Sequence, residues 1–356
     1  MKILMLVNWK VEYSESVPDG KQPPDYYVKG IPYWFFRYFD DQPEVDVVDI
    51  KSFKWLENFE QTKIRFYIWQ TLKVLPRISK YDLIISHGMQ SGVVLSLWRR
   101  LFRTRAKHIV FDIGAFNSAA ETGFALKLMQ FASKSIDGII YHTSSQIEYY
   151  KSFFPWIVAK SRFIRFGADL NYFAPSDVEK KNIVKPYIIC VGHNKRDWDT
   201  LIRAFKDIET NIILRLIGHV DAKYDKEKNV EQYSYIPIKE LIGQINGAVL
   251  CILPLEYYNY SFGQMTLMQQ MAMEKCVIAA RVPSLMDYVV DMQTAVFYEP
   301  GNAADLKEKI ENLLADDEKA TAIGKNARQY LLKACNEKIM ALDIQTAINE
   351  LLTDEV

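Results

Sequence analysis

Tyr260-Ser261-Phe262-Gly263-Gln264-Met265-Thr266-Leu267-Met268-Gln269-Gln270-Met271-Ala272-Met273-Glu274-Lys275-Cys276-Val277-Ile278 is the stretch on which the fold turns. It follows the apolar run Ala248–Leu253, opens a helix at a glycine-containing turn, and passes at once into a β-branched run. Strand, turn, helix and strand in that order make a βαβ unit, whose strands pair in parallel. A helix start with free backbone N–H groups and a positive dipole end is a natural seat for a diphosphate. Gln269, several residues into the helix, could reach a sugar. Met265, Met268, Met271 and Met273 equally describe a methionine-rich core helix. Spacing alone leaves both readings open.

The same alternation extends in both directions. Strand-like runs in the first half are Lys2–Asn8, Val45–Ile50, Asp82–Ser86, His108–Ile113, Gly138–His142 and Arg162–Phe166. Helix-like stretches between them are Pro32–Phe39, Gln61–Leu75, Gln90–Phe102, Ala119–Lys134 and Ser145–Phe153. In the second half the strands are Tyr187–Gly192, Asn211–Gly218, Ala248–Leu253, Cys276–Ala280 and Ala295–Tyr298, with helices near Asp197–Lys206, Ile238–Ile245 and Met265–Glu274. Apolar strands separated by helices imply parallel sheets covered on both faces. Two such sets predict an α/β chain of two Rossmann-like, doubly wound domains facing a central cleft. The boundaries read from sequence are 1–170, 176–335 and a terminal segment 336–356. A break is expected near Ala174-Pro175-Ser176, with Asp177–Lys185 as linker. Helices are expected over Ala303–Leu314, Asp317–Leu332 and Glu337–Leu352, the last packing back on the N-terminal domain.

The length of 356 residues suits about two domains at the usual ~100–200 residues each. Hydrophobic residues at 49% and charged residues at 25% exclude disorder, collagen and coiled coil as the main architecture. No apolar run reaches the ~18 residues of a membrane span, and Lys2–Val7 is too short for the ~7–15-residue core of a signal peptide. Cys190, Cys251, Cys276 and Cys335 are scattered, without a C-x-x-C, and read as reduced packing residues. Net charge is zero, yet residues 51–110 hold 12 Lys/Arg against 3 Asp/Glu. Such a local field speaks of an anionic partner rather than of fold.

Neither a G-x-G-x-x-G after the first strand nor a G-x-x-x-x-G-K-[ST] is present, which demotes dehydrogenases and P-loop enzymes. The quoted stretch resembles the donor-site motif of GT-B glycosyltransferases, particularly glycosyltransferase family 4 (group 1), written E-G-F-G-x-x-x-x-E-A-M-A-x-G-K-P-V-I. Three further segments resemble that family in the right order. They are Arg165-Phe166-Gly167-Ala168-Asp169 with Phe173 and Pro175, then Val191-Gly192-His193-Asn194-Lys195-Arg196 running on to Phe205, then Tyr298-Glu299-Pro300-Gly301-Asn302. The resemblance covers residues 160–335 well and the N-terminal half only through strand order. The family's two glutamates are replaced by Ser261 and Gln269. A glutamine amide oxygen still accepts a hydrogen bond, but it is neutral.

The resemblance implies a transferase that moves a sugar from a nucleotide-sugar to an acceptor hydroxyl without an essential metal or cofactor, a UDP-sugar being the expected donor. Donor-binding candidates are Gly192, Lys195, Arg196, Glu256, Asn259, Ser261, Phe262, Gly263, Gln264 and Gln269. Lys195 and Arg196 would make charge-assisted bonds to phosphate; the other reading of the pair is a solvated loop beside Asp197 and Asp199. Asp112, at a strand end before Gly114, is a candidate general base, and His87 before Gly88 has similar placement. Both could equally be strand-end hydrogen-bonding residues. His142 also ends a strand; His108 and His219 lack metal-ligand spacing.

Trp98, Arg99, Arg100, Phe102, Arg103, Arg105 and Lys107 interleave basic and aromatic side chains with no acid. That pattern suits anionic lipid headgroups, a solvated helix end being the alternative. No nucleic-acid module accompanies it. The expectation is a cytoplasmic enzyme of polysaccharide, glycolipid or other cell-surface glycan synthesis, peripheral on the inner membrane face, with a glycan or lipid-linked acceptor. Retaining stereochemistry follows from the family; an inverting enzyme using Asp112 and a non-catalytic nucleotide-sugar-binding partner are the alternatives.

Overall fold

The computed structural model describes residues 1–102, 104–114, 121–176, 185–208, 211–218, 221–258 and 260–353. The chain divides into two compact units, Met1–Arg165 with Met340–Val356, and Phe166–Ile339. In the first, the strands are β1 (Lys2–Leu6), β2 (Glu12–Ser14), β3 (Tyr26–Val28), β4 (Glu44–Val48), β5 (Leu83–His87), β6 (Lys107–Asp112), β7 (Gly138–Tyr141) and β8 (Ser161–Phe163). Six of them form one sheet in the order β4-β1-β5-β6-β7-β8, every neighbouring pair parallel. Residues pointing to both faces are buried: Leu4, Leu6 and Ile84 pack with Val74 and Leu95, while Val110, Ile139 and Tyr141 pack with Met129 and Tyr150. Two-sided burial is why these strands read as continuous apolar runs.

In the second unit β9 (Tyr187–Val191), β10 (Ile213–Ile217), β11 (Val230–Tyr233), β12 (Leu250–Leu253), β13 (Val277–Ala280) and β14 (Val296–Tyr298) take the order β11-β10-β9-β12-β13-β14. All pair in parallel. The order reverses at β9, between β10 and β12. In the first sheet it reverses at β1, between β4 and β5. Ligands of doubly wound sheets bind outside the carboxyl ends of the strands at such reversals.

Elements missed in the sequence are short or polar: β2, β3 and β11 lack an apolar run. The helix expected over Gln61–Leu75 is broken instead, into one π-helical turn Glu60–Ile64 ending at Arg65 with a left-handed φ of 58°, and a helix Ile68–Val74. A further helix, Lys54–Phe59, precedes it. Buried Glu60 pins the break by accepting the Trp69 N–H at 2.8 Å.

The break expected near Ala174–Ser176 lies earlier, at Arg165–Phe166. Leu170 and Phe173 belong to the second core, and Arg328 donates to the carbonyls of Leu170 and Phe173 at 3.3 Å each. Most of the expected linker, residues 177–184, lies outside the described residues. The terminal helix Glu337–Thr353 leaves the second unit after Ile339. Its Leu351 lies against Gly138 of β7, where any Cβ would collide, and Glu350 pairs with Arg162 at 2.9 Å. The four cysteines are buried and form no disulfide. Among the described residues no helix is long and apolar enough to cross a membrane.

Candidate functional site

At the reversal point of the second sheet, the loop leaving β9 runs antiparallel to the loop leaving β12. Arg196 bridges Leu255, the Glu256 N–H donates to Lys195 O at 3.1 Å, and the Asp197 N–H donates to Pro254 O at 3.0 Å. Gly192, at φ 114°, ends β9, and a Cβ there would strike the Arg196 guanidinium. That contact explains the glycine: it lets the side chain fold beneath the strand end.

Arg196 is 9% exposed. Nε donates to Val191 O at 2.9 Å, Nη1 to Asn194 O at 2.9 Å and Nη2 to Thr266 Oγ1 at 3.1 Å. Burial draws its pKa down from the ordinary value. The alternative of a solvated loop residue is therefore excluded, and Asp197 and Asp199 are turned to other tasks. Asp197 caps the helix Trp198–Lys206 by accepting the Thr200 N–H at 3.0 Å, and Asp199 accepts from Tyr224 at 2.6 Å. No carboxylate of the described residues pairs with Arg196 within 4.0 Å. A buried cation is costly unless compensated, and the acceptors that hold this one are two carbonyls and a hydroxyl.

Thr266 sits in the first turn of the helix Gln264–Ala272, whose N-cap, Gly263, has no side chain to cap it. Gly263 precedes it at φ 82°. Gln264 is buried and its Nε2 donates to Ser261 Oγ at 2.9 Å. Ser261 is thus occupied within the turn itself. Gln269 is half-buried one turn further on. Lys195, at φ 56°, places Nζ 3.8 Å from the centroid of Tyr258 and 3.7 Å from Glu256. Tyr258, Tyr260 and Phe262 form an aromatic cluster with centroids 5.3–6.1 Å apart. Asn259 lies outside the described residues. Gly192, Lys195, Arg196, Glu256, Ser261, Phe262, Gly263 and Gln264 are therefore brought together. Thr266, Tyr258 and Tyr260 were missed. The aromatic alternation at 258, 260 and 262 was the available signal for the last two.

At the reversal point of the first sheet, His87 ends β5 beside Asn8. Asn8 Nδ2 donates to Gln90 Oε1 at 3.5 Å, which turns Asn8 Oδ1 towards His87 Nδ1 at 3.2 Å. With that amide orientation Nδ1 carries the proton and Nε2 the lone pair. Trp9 and Trp34 flank the ring at 4.7 and 5.8 Å, and burial pushes its pKa down to about 3. His142 is likewise neutral at physiological pH, its pKa lowered to about 4 by burial, with Nδ1 2.7 Å from Ile164 O. His108 is buried between Ser86 and Ser96 at 2.9 and 3.4 Å, and His219 lies outside the described residues.

Asp112 is fully buried and heavily engaged. It accepts from Tyr150 at 2.5 Å, from Gln146 at 3.1 Å and from the Gly114 N–H at 2.9 Å. Both carboxylate oxygens serve the fold, which is the geometry of a strand-end anchor rather than of a free base.

The segment expected to face a membrane is corrected at one residue. Arg99 is not available to headgroups: it pairs with Asp137 at 2.7 Å, bonds to Ala106 O and is 10% exposed at its side chain. Arg103 lies outside the described residues. Arg100, Phe102, Arg105 and Lys107 are exposed, with Trp98 stacked on Phe102 at 4.1 Å. The helix Met89–Leu101 starts at the carboxyl end of β5 and returns to the amino end of β6. Trp98–Phe102 and residues 104–107 therefore lie at the opposite ends of these strands from His87 and Asp112, about 20 Å away at 1.5 Å per helical residue.

Residues 175–330 match the family model described as glycosyl transferases group 1. A 150-residue stretch is 33% identical to an uncharacterized glycosyltransferase of Methanocaldococcus jannaschii, covering 39% of this chain and 41% of that protein. The matches span about two fifths of the length of the curated relatives. Among solved structures, sucrose-phosphate synthase of Thermosynechococcus elongatus aligns over 99% of both chains with a TM-score of 0.71 at 18% identity. Anabaena HepE, in complex with UDP-glucose, aligns over 98% of this chain and 100% of its own with a TM-score of 0.70 at 15% identity. The two units, one Rossmann-like domain each, thus have the two-domain α/β fold of these structures, and residues 175–330 are similar to glycosyl transferases group 1.

Proposed function

We propose that this chain is a glycosyltransferase that transfers a sugar from a nucleotide-sugar, a UDP-sugar in the simplest case, to an acceptor hydroxyl on a glycan or lipid-linked molecule. The observation that carries this reading is Arg196, a buried guanidinium with no carboxylate partner among the described residues, bonded to the first turn of a helix that opens on Gly263. A diphosphate supplies the missing charge. Two of the five guanidinium N–H groups remain for it. Lys195 lies in the same loop, parked on Tyr258 and Glu256, from which it can turn to a phosphate oxygen. As the glycosidic bond breaks, negative charge grows on the departing diphosphate, and these donors stabilise it there. Gln264 and Gln269 are assigned to the sugar moieties of the donor. The helix of glycosyl transferases group 1 and the UDP-glucose held by HepE support the choice of donor class.

The acceptor is assigned to the carboxyl edge of the first sheet, around Asn8, Trp9 and His87. With Asp112 committed to Tyr150 and Gln146, the proposed reaction takes no proton to that carboxylate, in keeping with the retaining chemistry that the family resemblance implies. Calorimetry with UDP tests the donor site. Arg196→Ala is expected to weaken binding by ~1.5–3 kcal/mol, the range for hydrogen bonds to a charged group. Because that change also removes three internal bonds, Lys195→Ala, which removes only the half-buried contact of Lys195 with Tyr258 and Glu256, should weaken UDP binding with little change in the melting temperature. Unchanged UDP affinity in both variants would sink the assignment.

A further inference from the structure

Residues 53–65 form a hump between β4 and the helix Ile68–Val74, over a stretch whose first half carried no predicted element. Phe53 is 56% exposed, Trp55 72% and Phe59 45%. Lys54, Lys63 and Arg65 are exposed around them. The neighbouring acids are withdrawn: Glu57 pairs with Lys10 at 2.5 Å, and Glu60 is buried on the Trp69 N–H. The surface is therefore aromatic at its centre and basic around it.

Its position is set by three contacts within the first unit. Gln70 Nε2 donates to Val7 O and Val48 O at 2.8 Å each, and the Tyr67 N–H donates to Gln90 O at 3.1 Å. These fasten the hump to the carboxyl edge of β1 and β4, beside the Asn8–His87–Gln90 cluster. We infer that residues 53–65 are the docking surface of this protein for an anionic lipid bilayer. Indole and phenyl rings settle at the headgroup level, and basic side chains near that surface add attraction to anionic lipid. The occupant is argued from charge complementarity. Evenly spread negative charge answers a basic rim from which carboxylates have been removed, and a bilayer accepts protruding rings without needing a matching pocket. The inference rests on the transferase reading for its purpose, which is to bring lipid-borne acceptor to the sheet edge carrying His87.

Sedimentation with vesicles of equimolar phosphatidylglycerol and phosphatidylcholine at low ionic strength tests it. Wild-type protein is expected to pellet. Lys54→Ser/Lys63→Ser/Arg65→Ser should lower the partition ~100-fold, at about fivefold per basic residue. Trp55→Ser/Phe59→Ser should lower it at least tenfold, while Arg100→Ser/Arg105→Ser/Lys107→Ser should stay within about twofold of wild type. All five positions of the hump variants are exposed, and unchanged melting temperatures would show that the fold is intact. Wild type remaining in the supernatant, or a loss confined to the 100–107 variant, overturns the inference. UDP calorimetry on the same proteins separates the two readings. Vesicle binding without UDP binding leaves the surface and removes the donor site; UDP binding without vesicle binding does the reverse.

Discussion

Asp112 and Arg196 are both buried charges at the ends of parallel strands, and their partners give them opposite tasks. Asp112 receives a tyrosine hydroxyl, a glutamine amide and a backbone N–H. Its charge is answered by donors from the fold itself. Arg196 spends its bonds on two carbonyls and a hydroxyl, and its charge remains for something else to answer. Asp112→Asn should therefore act on stability. Losing the charged acceptor and presenting an NH₂ to Tyr150 or Gln146 is expected to cost ~1.5–3 kcal/mol in urea unfolding. UDP affinity and turnover per folded molecule should remain near wild type. Normal stability with a hundredfold drop in turnover would instead return Asp112 to the chemistry. Both residues stood out in the sequence, as polar groups at the ends of apolar runs. What no sequence reading supplies is the inventory of partners, because Tyr150 is 38 positions from Asp112 and Thr266 is 70 from Arg196.

Elements here are shaped by close backbone approach as much as by propensity. The helix Asp317–Ala334 carries Gly324 in its interior, where alanine normally stabilises by ~0.8–1.0 kcal/mol. A Cβ on Gly324, however, would meet the carbonyl of Glu274, which holds a left-handed φ of 57° in the turn after the helix Gln264–Ala272. That neighbour is backbone, locked further by the Lys275 N–H donating to Gln270 O at 3.1 Å. Gly324→Ala should therefore reverse the usual sign and destabilise by ~1–3 kcal/mol, the cost of overpacking. A gain in the urea midpoint would show that the turn yields. The elements themselves were legible wherever an apolar run or a 3.6-residue period was long enough. Residues 53–65 were not: their rings face solvent, and no periodic burial marks the helix Lys54–Phe59.

At the scale of the molecule, the terminal helix ties the end of the chain to the first unit. Met340, Ile344, Ile348 and Leu351 are buried, each worth ~1.5–3 kcal/mol of burial. A chain ending at Ile339 should therefore lose most of the first unit's stability, whose whole is ~5–15 kcal/mol for a typical domain. Calorimetric melting offers the check, since UDP is expected to raise only the second unit's transition. Truncation should lower or abolish the transition that UDP leaves alone, and two unaltered transitions would contradict the assignment of this helix. Periodicity by itself determined the α/β class, the alternation of strands and helices, and the glycine-opened helix after β12, because these depend on neighbours within one turn or one strand. Tertiary structure alone decided that Asp112 accepts from Tyr150, Gln146 and the Gly114 N–H, and that Arg196 is buried with no carboxylate of the described residues beside it. It alone placed Trp98–Phe102 and residues 104–107 at the far ends of their strands and the exposed rings of 53–59 at the near ones. Each of those depends on which distant segments pack together, and local pattern carries no record of that.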